Sequence, residues 1–294
     1  MTTKLYPCKE LSEKILAQVA RDADFFSKQH GRKPCLTVVL VGSDPASQVY
    51  VRKKGETCQK YGIHARDIFL DPSVGFAKLQ SEIEKLNADD GVDGILVQSP
   101  LPKGWDERAI QKLVSPAKDV DGFHPENAGA LFLDAKNALA QGLPPCTPAG
   151  VIEVLLENKI PIAGKQAVVV GRSNIVGKPM ALMLLALDAT VTIAHSRTKD
   201  LEKICREADI LVAAVGKKNF LGKNHIKPGA VVIDVGINRE MENGKTKLFG
   251  DVDAAAAQGI ASFLTPVPNG IGPMTIALLL RNTIRAAKNR STAS

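Results

Sequence analysis

The stretch QAVVVGRSNIVGKP, residues 166–179, constrains the chain more than any other. Its apolar run Ala167 to Val170 stops at Gly171, crosses a polar turn holding Arg172, Ser173 and Asn174, and reopens at Gly177 into a helix-patterned segment from Pro179 to Leu187. That order reads as strand, tight turn, helix. The amides and positive dipole end of a helix start suit a phosphate. The pattern Gly-x-Ser-x-x-x-Gly differs from the dinucleotide fingerprint Gly-x-Gly-x-x-Gly, however, so a purely structural turn stays open at this point.

The same rhythm repeats on both sides. Upstream, a helix is expected over 10–29, a strand over 35–41, a helix over 45–61 entered through Ser43-Asp44-Pro45, a strand over 65–70, a helix over 77–86, a strand over 94–97 and a helix over 107–114. After the turn-rich GLPPCTPA at 142–149, a second series follows, with helices at 150–157, 178–187 and 201–208 and strands at 167–170, 190–194, 210–214 and 230–235. Strands alternating with crossover-length helices predict an α/β chain, two doubly wound domains flanking a cleft, the C-terminal one Rossmann-like. The apolar tail 273–289 reads as one long helix packing back on the first domain. The expected division is therefore 1–144 with 275–294 against 145–274.

At 294 residues the chain is long enough for two cores. No apolar run nears the ~18 residues of a membrane span, and MTTKLYPCKE lacks a signal peptide's apolar segment. Cys8, Cys35, Cys58, Cys146 and Cys205 are odd in number and lack C-x-x-C or zinc spacing. A soluble, cytoplasmic protein with buried thiols and no metal is expected. The net charge of +7 suits nucleic acid or anionic small molecules. Because the basic residues are dispersed and few aromatics accompany them, nucleic acid is set aside.

The candidate chemistry lies where strands end. Ser47, Tyr50 and Lys54 share one face of the 45–61 helix, although surface charge alone would explain the lysine. Val97-Gln98-Ser99-Pro100-Leu101-Pro102 is a rigid loop offering an amide, and Lys118-Asp119-Val120-Asp121-Gly122 sets two carboxylates two apart in a turn. Past strand 190–194 come His195-Ser196-Arg197-Thr198, where an NAD site would place an acid; donors and a cation suit a 2'-phosphate instead. Gly236-Ile237-Asn238 and the loop from Thr265 to Thr275 follow later strands.

With these stretches in view, the chain resembles the bifunctional methylenetetrahydrofolate dehydrogenase/cyclohydrolase family. The resemblance runs in order through Tyr50-x-x-x-Lys54, Gln98-Ser99-Pro100-Leu101-Pro102, Lys118 to Gly122, Pro145-Cys146-Thr147-Pro148, Gly171-Arg172-Ser173-x-x-Val176-Gly177-x-Pro179, and Pro266-Val267-Pro268 to Gly272-Pro273-Met274-Thr275. It implies catalysis by Lys54 with Gln98 bonded to it, Tyr50 stacked on the aminobenzoyl ring of a tetrahydrofolate derivative, Asp121 on the pterin edge, and substrate contacts from Pro100, Leu101, Gly272 and Pro273. It implies NADP held by Gly171, Arg172, Ser173, Ile175, Gly177, Ser196, Arg197, Ile237 and Thr147, and a homodimer paired through the NADP-binding domain. One departure is Asn269, standing where the family has the first glycine of Pro-Val-Pro-Gly-Gly, so a local adjustment of that loop is expected.

The implied reaction is oxidation of methylenetetrahydrofolate by NADP, then hydrolysis of the methenyl product to formyltetrahydrofolate. Hydride loss leaves a cation on the folate, which an ammonium about 4 Å away would oppose by roughly 4 kcal/mol at an effective dielectric of ~20. Lys54 is thus expected to be neutral, its pKa lowered by burial and by Arg52 and Lys53. A monofunctional dehydrogenase is the alternative, against which Lys54 together with Gln98 argues. A non-catalytic nucleotide-binding module would keep the Gly171 turn without needing the motifs of the first half.

Overall fold

The computed structural model describes residues 2–242 and 245–292. In chain order the strands are β1 (Lys4–Leu5), β2 (Cys35–Val41), β3 (His64–Leu70), β4 (Gly94–Val97), β5 (Gln166–Val170), β6 (Thr190–Ala194), β7 (Ile210–Ala213), β8 (Val231–Asp234), β9 (Asn238–Glu242), β10 (Lys245–Phe249) and β11 (Phe263–Leu264). The helices are α1 (Lys9–His30), α2 (Pro45–Lys60), α3 (Gly75–Ala88), α4 (Glu107–Gln111), α5 (Pro125–Leu133), α6 (Ala135–Ala140), α7 (Cys146–Glu157), α8 (Gly177–Ala186), α9 (Leu201–Cys205), α10 (Ala254–Ala257) and α11 (Ile271–Thr292). The chain divides into two compact units.

One unit comprises Glu13–Ala130, Ala140–Cys146 and Ile276–Ser294. Its sheet is parallel, in the order β3-β2-β4. All seven residues of β2 are buried, which is why an unbroken apolar run serves as its central strand. Asp44 caps α2 by accepting from the Ser47 amide, and Pro45 opens the first turn. From Ile276 on, the tail helix α11 belongs to this unit. Asn282, fully buried on it, donates to the carbonyls of Val120 and Pro144 at 2.9 Å each, while Arg290 meets Asp93.

The other unit comprises Met1–Ser12, Leu131–Leu139 and Thr147–Thr275. Its sheet has the order β1-β11-β8-β7-β5-β6, every described pairing parallel. The order reverses beside β5, the topological switch of a doubly wound sheet, so the carboxyl ends of β5 and β7 form its ligand edge. The first twelve residues group with this unit although the sequence led us to expect 1–144 together, because β1 pairs with β11. Two residues per strand carry no period to read. Likewise unforeseen are the antiparallel hairpin β9–β10 and the helices α5 and α6. Helix α4 stops at Gln111, short of the expected Val114. No helix is long and apolar enough to cross a membrane among the described residues.

Candidate active site

The ends of β2 and β4 and an isolated bridge beside β4 carry the candidate groups of the three-stranded unit. Strand β2 feeds α2, which bears Tyr50 and Lys54. Gln98 follows strand β4, and its backbone N–H donates to the Val39 carbonyl at 2.8 Å. Asp119 bridges in parallel to Ile95 of β4, so Asp121 follows alongside. The result is a hydrogen bond from Lys54 Nζ to Gln98 Oε1 at 2.9 Å. Gln98 Nε2 donates in turn to the Ser99 carbonyl at 2.6 Å, which fixes which end of the amide faces the lysine.

Burial pushes the Lys54 amine below its ordinary value, and the Asp121 carboxylate partly offsets this. The expected contribution of Arg52 and Lys53 needs correction. Both are exposed and neither is among the causes; desolvation is the main one. Asp121 is shifted upward, again chiefly by burial, with Lys54 pulling it down. The two groups therefore oppose each other's shift.

The motif from Lys118 to Gly122 divides its labour. Lys118 Nζ donates to the carbonyls of Leu86 and Asp89 at 2.9 and 2.7 Å, closing the end of α3, and burial first, then Arg290, lowers its pKa to about 8. Asp119 accepts from the His124 amide and from Asn127 Nδ2, which anchors the start of α5. Only Asp121 turns to Lys54. A Cβ at Gly122, φ +73°, would lie 2.4 Å from the Leu143 carbonyl, so the turn needs glycine. Ser47 donates both its amide and its hydroxyl to Asp44, the cap of α2. Tyr50 is half-buried, Pro100 is exposed and Leu101 is half-buried.

In the six-stranded unit, β5 and β6 are neighbours, with Val170 opposite Ala194. Arg172 thus follows one strand end while Ser196 and Arg197 follow the next, all three exposed. Neither arginine has an ion-pair partner among the described residues. Gly171, at φ +138°, lies so close to β7 that a Cβ would sit 2.1 Å from the Ala214 carbonyl. A Cβ at Gly177 would sit 2.2 Å from the Gly171 carbonyl. The two glycines are required by this turn and not by a helix in general. The amides of Val176 and Gly177 donate to Ser173 Oγ at 3.1 and 3.2 Å, and that of Lys178 to the Ser173 carbonyl at 3.0 Å. These amides, which the sequence suggested as phosphate donors, are satisfied from within; the polar side chains of Arg172, Ser196 and Arg197 remain. Such donors, without an acid at the end of β6, fit a nucleotide bearing an extra phosphate.

Ile175 and Ile237 are exposed, and Gly272 and Pro273 are half-buried at the start of α11. Thr147 shares a hydrogen bond with Thr275, Oγ1 to Oγ1, at 2.9 Å. Asn269 has φ +76°, the left-handed backbone for which a glycine serves, and its carbonyl accepts from the Cys8 amide. Residue-type patterns did not reveal Asp234 and Asp251, two buried carboxylates behind the cofactor-side loops.

The profile described as "Tetrahydrofolate dehydrogenase/cyclohydrolase, catalytic domain" matches residues 7–121, and that described as "Tetrahydrofolate dehydrogenase/cyclohydrolase, NAD(P)-binding domain" matches 145–291. The chain belongs to the tetrahydrofolate dehydrogenase/cyclohydrolase family. It is 51% identical over 288 residues to the "Bifunctional protein FolD" of Acetivibrio thermocellus, covering 98% of each chain. The crystal structure of the bifunctional FolD methylenetetrahydrofolate dehydrogenase/cyclohydrolase from Campylobacter jejuni aligns with a TM-score of 0.92 at 45% identity, covering 98% of this chain and 99% of that one. The Trypanosoma brucei dehydrogenase-cyclohydrolase complexed with NADP and an inhibitor aligns with a TM-score of 0.94 at 34% identity, covering 100% of both.

Proposed function

We propose that the chain oxidises methylenetetrahydrofolate with NADP and hydrolyses the methenyl product to formyltetrahydrofolate, the three-stranded unit acting on the folate and the six-stranded unit on the cofactor. The observation that carries this reading is Lys54 Nζ donating to Gln98 Oε1 with its amine pushed toward neutrality by burial. A neutral amine that spends one hydrogen on Gln98 keeps its lone pair, and so takes a proton from the attacking water. It also spares the folate cation a facing charge. Asp121 supplies the acceptor for the pterin edge, and Tyr50 an aromatic face for the aminobenzoyl ring; Pro100, Leu101, Gly272 and Pro273 line the substrate.

NADP, when bound, supplies the hydride acceptor. Arg172, Ser196 and Arg197 hold its 2'-phosphate, and Gly171, Ser173, Ile175, Gly177, Ile237 and Thr147 give it backbone and apolar contact. The protein works in the cytoplasm as a homodimer. The exposed Leu185 and Ile193 beside β6, which pairs on one side only among the described residues, support that pairing through the cofactor unit. A spectroscopic assay with methylenetetrahydrofolate and NADP tests the reading: a methenyl species that appears and then decays is expected, and one that accumulates without decay points to a dehydrogenase alone. Asp121→Ala is expected to raise the KM for folate at least about tenfold. An unchanged KM there removes Asp121 from the substrate site.

A further inference from the structure

Behind the Gly171 turn lies a buried polar network with no part in the roles above. Asp251 is fully buried. Its Oδ2 accepts from the amides of Val215 and Gly216 at 2.6 and 2.9 Å, and its Oδ1 from the amide of Lys217 and from Asn238 Nδ2, both at 2.9 Å. Asp234 accepts from the amides of Gly236 and Asp251 on Oδ1, at 2.9 and 3.0 Å, and from that of Val252 on Oδ2 at 2.9 Å. The fit leaves no slack. A Cβ at Gly236 would lie 2.3 Å from the Asp251 carboxyl, and one at Gly250 1.9 Å from Asp234 Oδ2.

The peptide joining Ala214 to Val215 connects this network to the turn. Its N–H points at Asp251, so in a planar trans peptide its carbonyl points the opposite way. That carbonyl is the one that crowds Gly171. The two loops pinned by Asp251 follow β7 and β8 on the ligand edge of the sheet, and Ile237 lies between Gly236, held by Asp234, and Asn238, held by Asp251.

We infer that Asp251 is a positioning residue for the cofactor: its carboxylate fixes the 214–217 and 236–238 loops and, through the Ala214 carbonyl, the Gly171 turn. The inference rests on the reading that this unit binds NADP. Pre-set loops matter because a loop already held in its bound conformation avoids the cost of ordering it when the ligand arrives.

Asp251→Asn keeps the size but sets an amide among N–H donors. Calorimetry should show the Kd for NADP rising about tenfold or more, while hydrolysis of methenyltetrahydrofolate assayed without NADP stays within about twofold of the parent. A merely structural Asp251 would lower the Tm yet leave the Kd unchanged at temperatures where the variant is folded. That result, or loss of both properties in step, overturns the inference. Should Asp251→Asn not fold, Asn238→Ala removes one of the four bonds; a Kd raised about threefold with hydrolysis intact supports the inference, and an unchanged Kd overturns it. A parent protein that fails to bind NADP would instead sink the cofactor reading itself.

Discussion

The two strand-end regions solve different problems with different means. The Lys54 region is made of half-buried side chains: a lysine lowered by desolvation, a carboxylate raised by it, and an amide that orients the lysine. The Arg172 region is made of exposed side chains on a backbone whose geometry is set by two glycines and, further back, by two buried carboxylates. Proton transfer needs a pKa near the working pH, which only desolvation and neighbouring charge supply. Holding a phosphate needs charge in reach and a rigid approach, and a permanently charged guanidinium gains nothing from burial.

The comparison breaks most visibly at Lys54. Lys54→Met should lower the cyclohydrolase rate by about 100-fold to 10,000-fold, the range of general-base catalysis, while the Kd for NADP stays unchanged. Equal damage to both would mean that the two regions are not separable. In the parent, hydrolysis should rise with pH as Lys54 loses its proton, with a midpoint below the ordinary lysine value of 10.5 because burial lowers it. A rate that falls over that interval would assign the base to another group.

A buried carboxylate distinguishes the regions through stability. Burial raises Asp234 from the usual 3.8 to about 6, opposed by its amide donors and aided by Asp251. Its folded pKa lies above the unfolded one, so the stabilisation is complete below pH 3.8 and is lost as pH rises through about 6. At 1.36 kcal/mol per pH unit the loss is about 3 kcal/mol. Urea unfolding at pH 5 and pH 7.5 should therefore show a fall that Asp234→Asn lacks. Asp119 and Asp121 are shifted the same way, so it is the difference between parent and variant that isolates Asp234. Equal slopes in both proteins would mean Asp234 is ionised throughout.

What was legible in the sequence follows the same division. Tyr50, Lys54, Gln98 and Asp121 could be singled out because their chemistry is in the side chain and their spacing on a helix or after a strand is local, while their roles came from the family resemblance. The doubly wound order was legible because strands such as β2 and β5 are unbroken apolar runs. Strands β1 and β11, two residues each, were not, since only their pairing across the chain makes them strands. Nor were Asp234 and Asp251, whose partners, Asn238 Nδ2 apart, are backbone amides up to 36 residues away and leave no residue-type pattern.

On the side proposed to hold the phosphate, a charge-assisted contact from Arg172 would be worth about 1.5–3 kcal/mol, and Arg172→Ala tests it. The KM for NADP should rise about 10-fold to 100-fold while that for NAD, lacking the 2'-phosphate, moves little. Parallel losses with both nucleotides would place Arg172 on a moiety that they share.

The smallest effect is the sharpest for the idea that one region is built from backbone. Asn269 holds φ +76°, and the neighbouring contact it provides is its own carbonyl, which the Cys8 amide reaches at 2.9 Å. If only the backbone matters there, Asn269→Gly relieves the left-handed strain and costs some unfolded-state entropy, a net gain below about 1 kcal/mol. The KM values for folate and NADP should not change. A raised KM for folate with stability unaltered would show that the exposed amide itself touches the substrate, and that this chain uses a side chain where glycine would offer none.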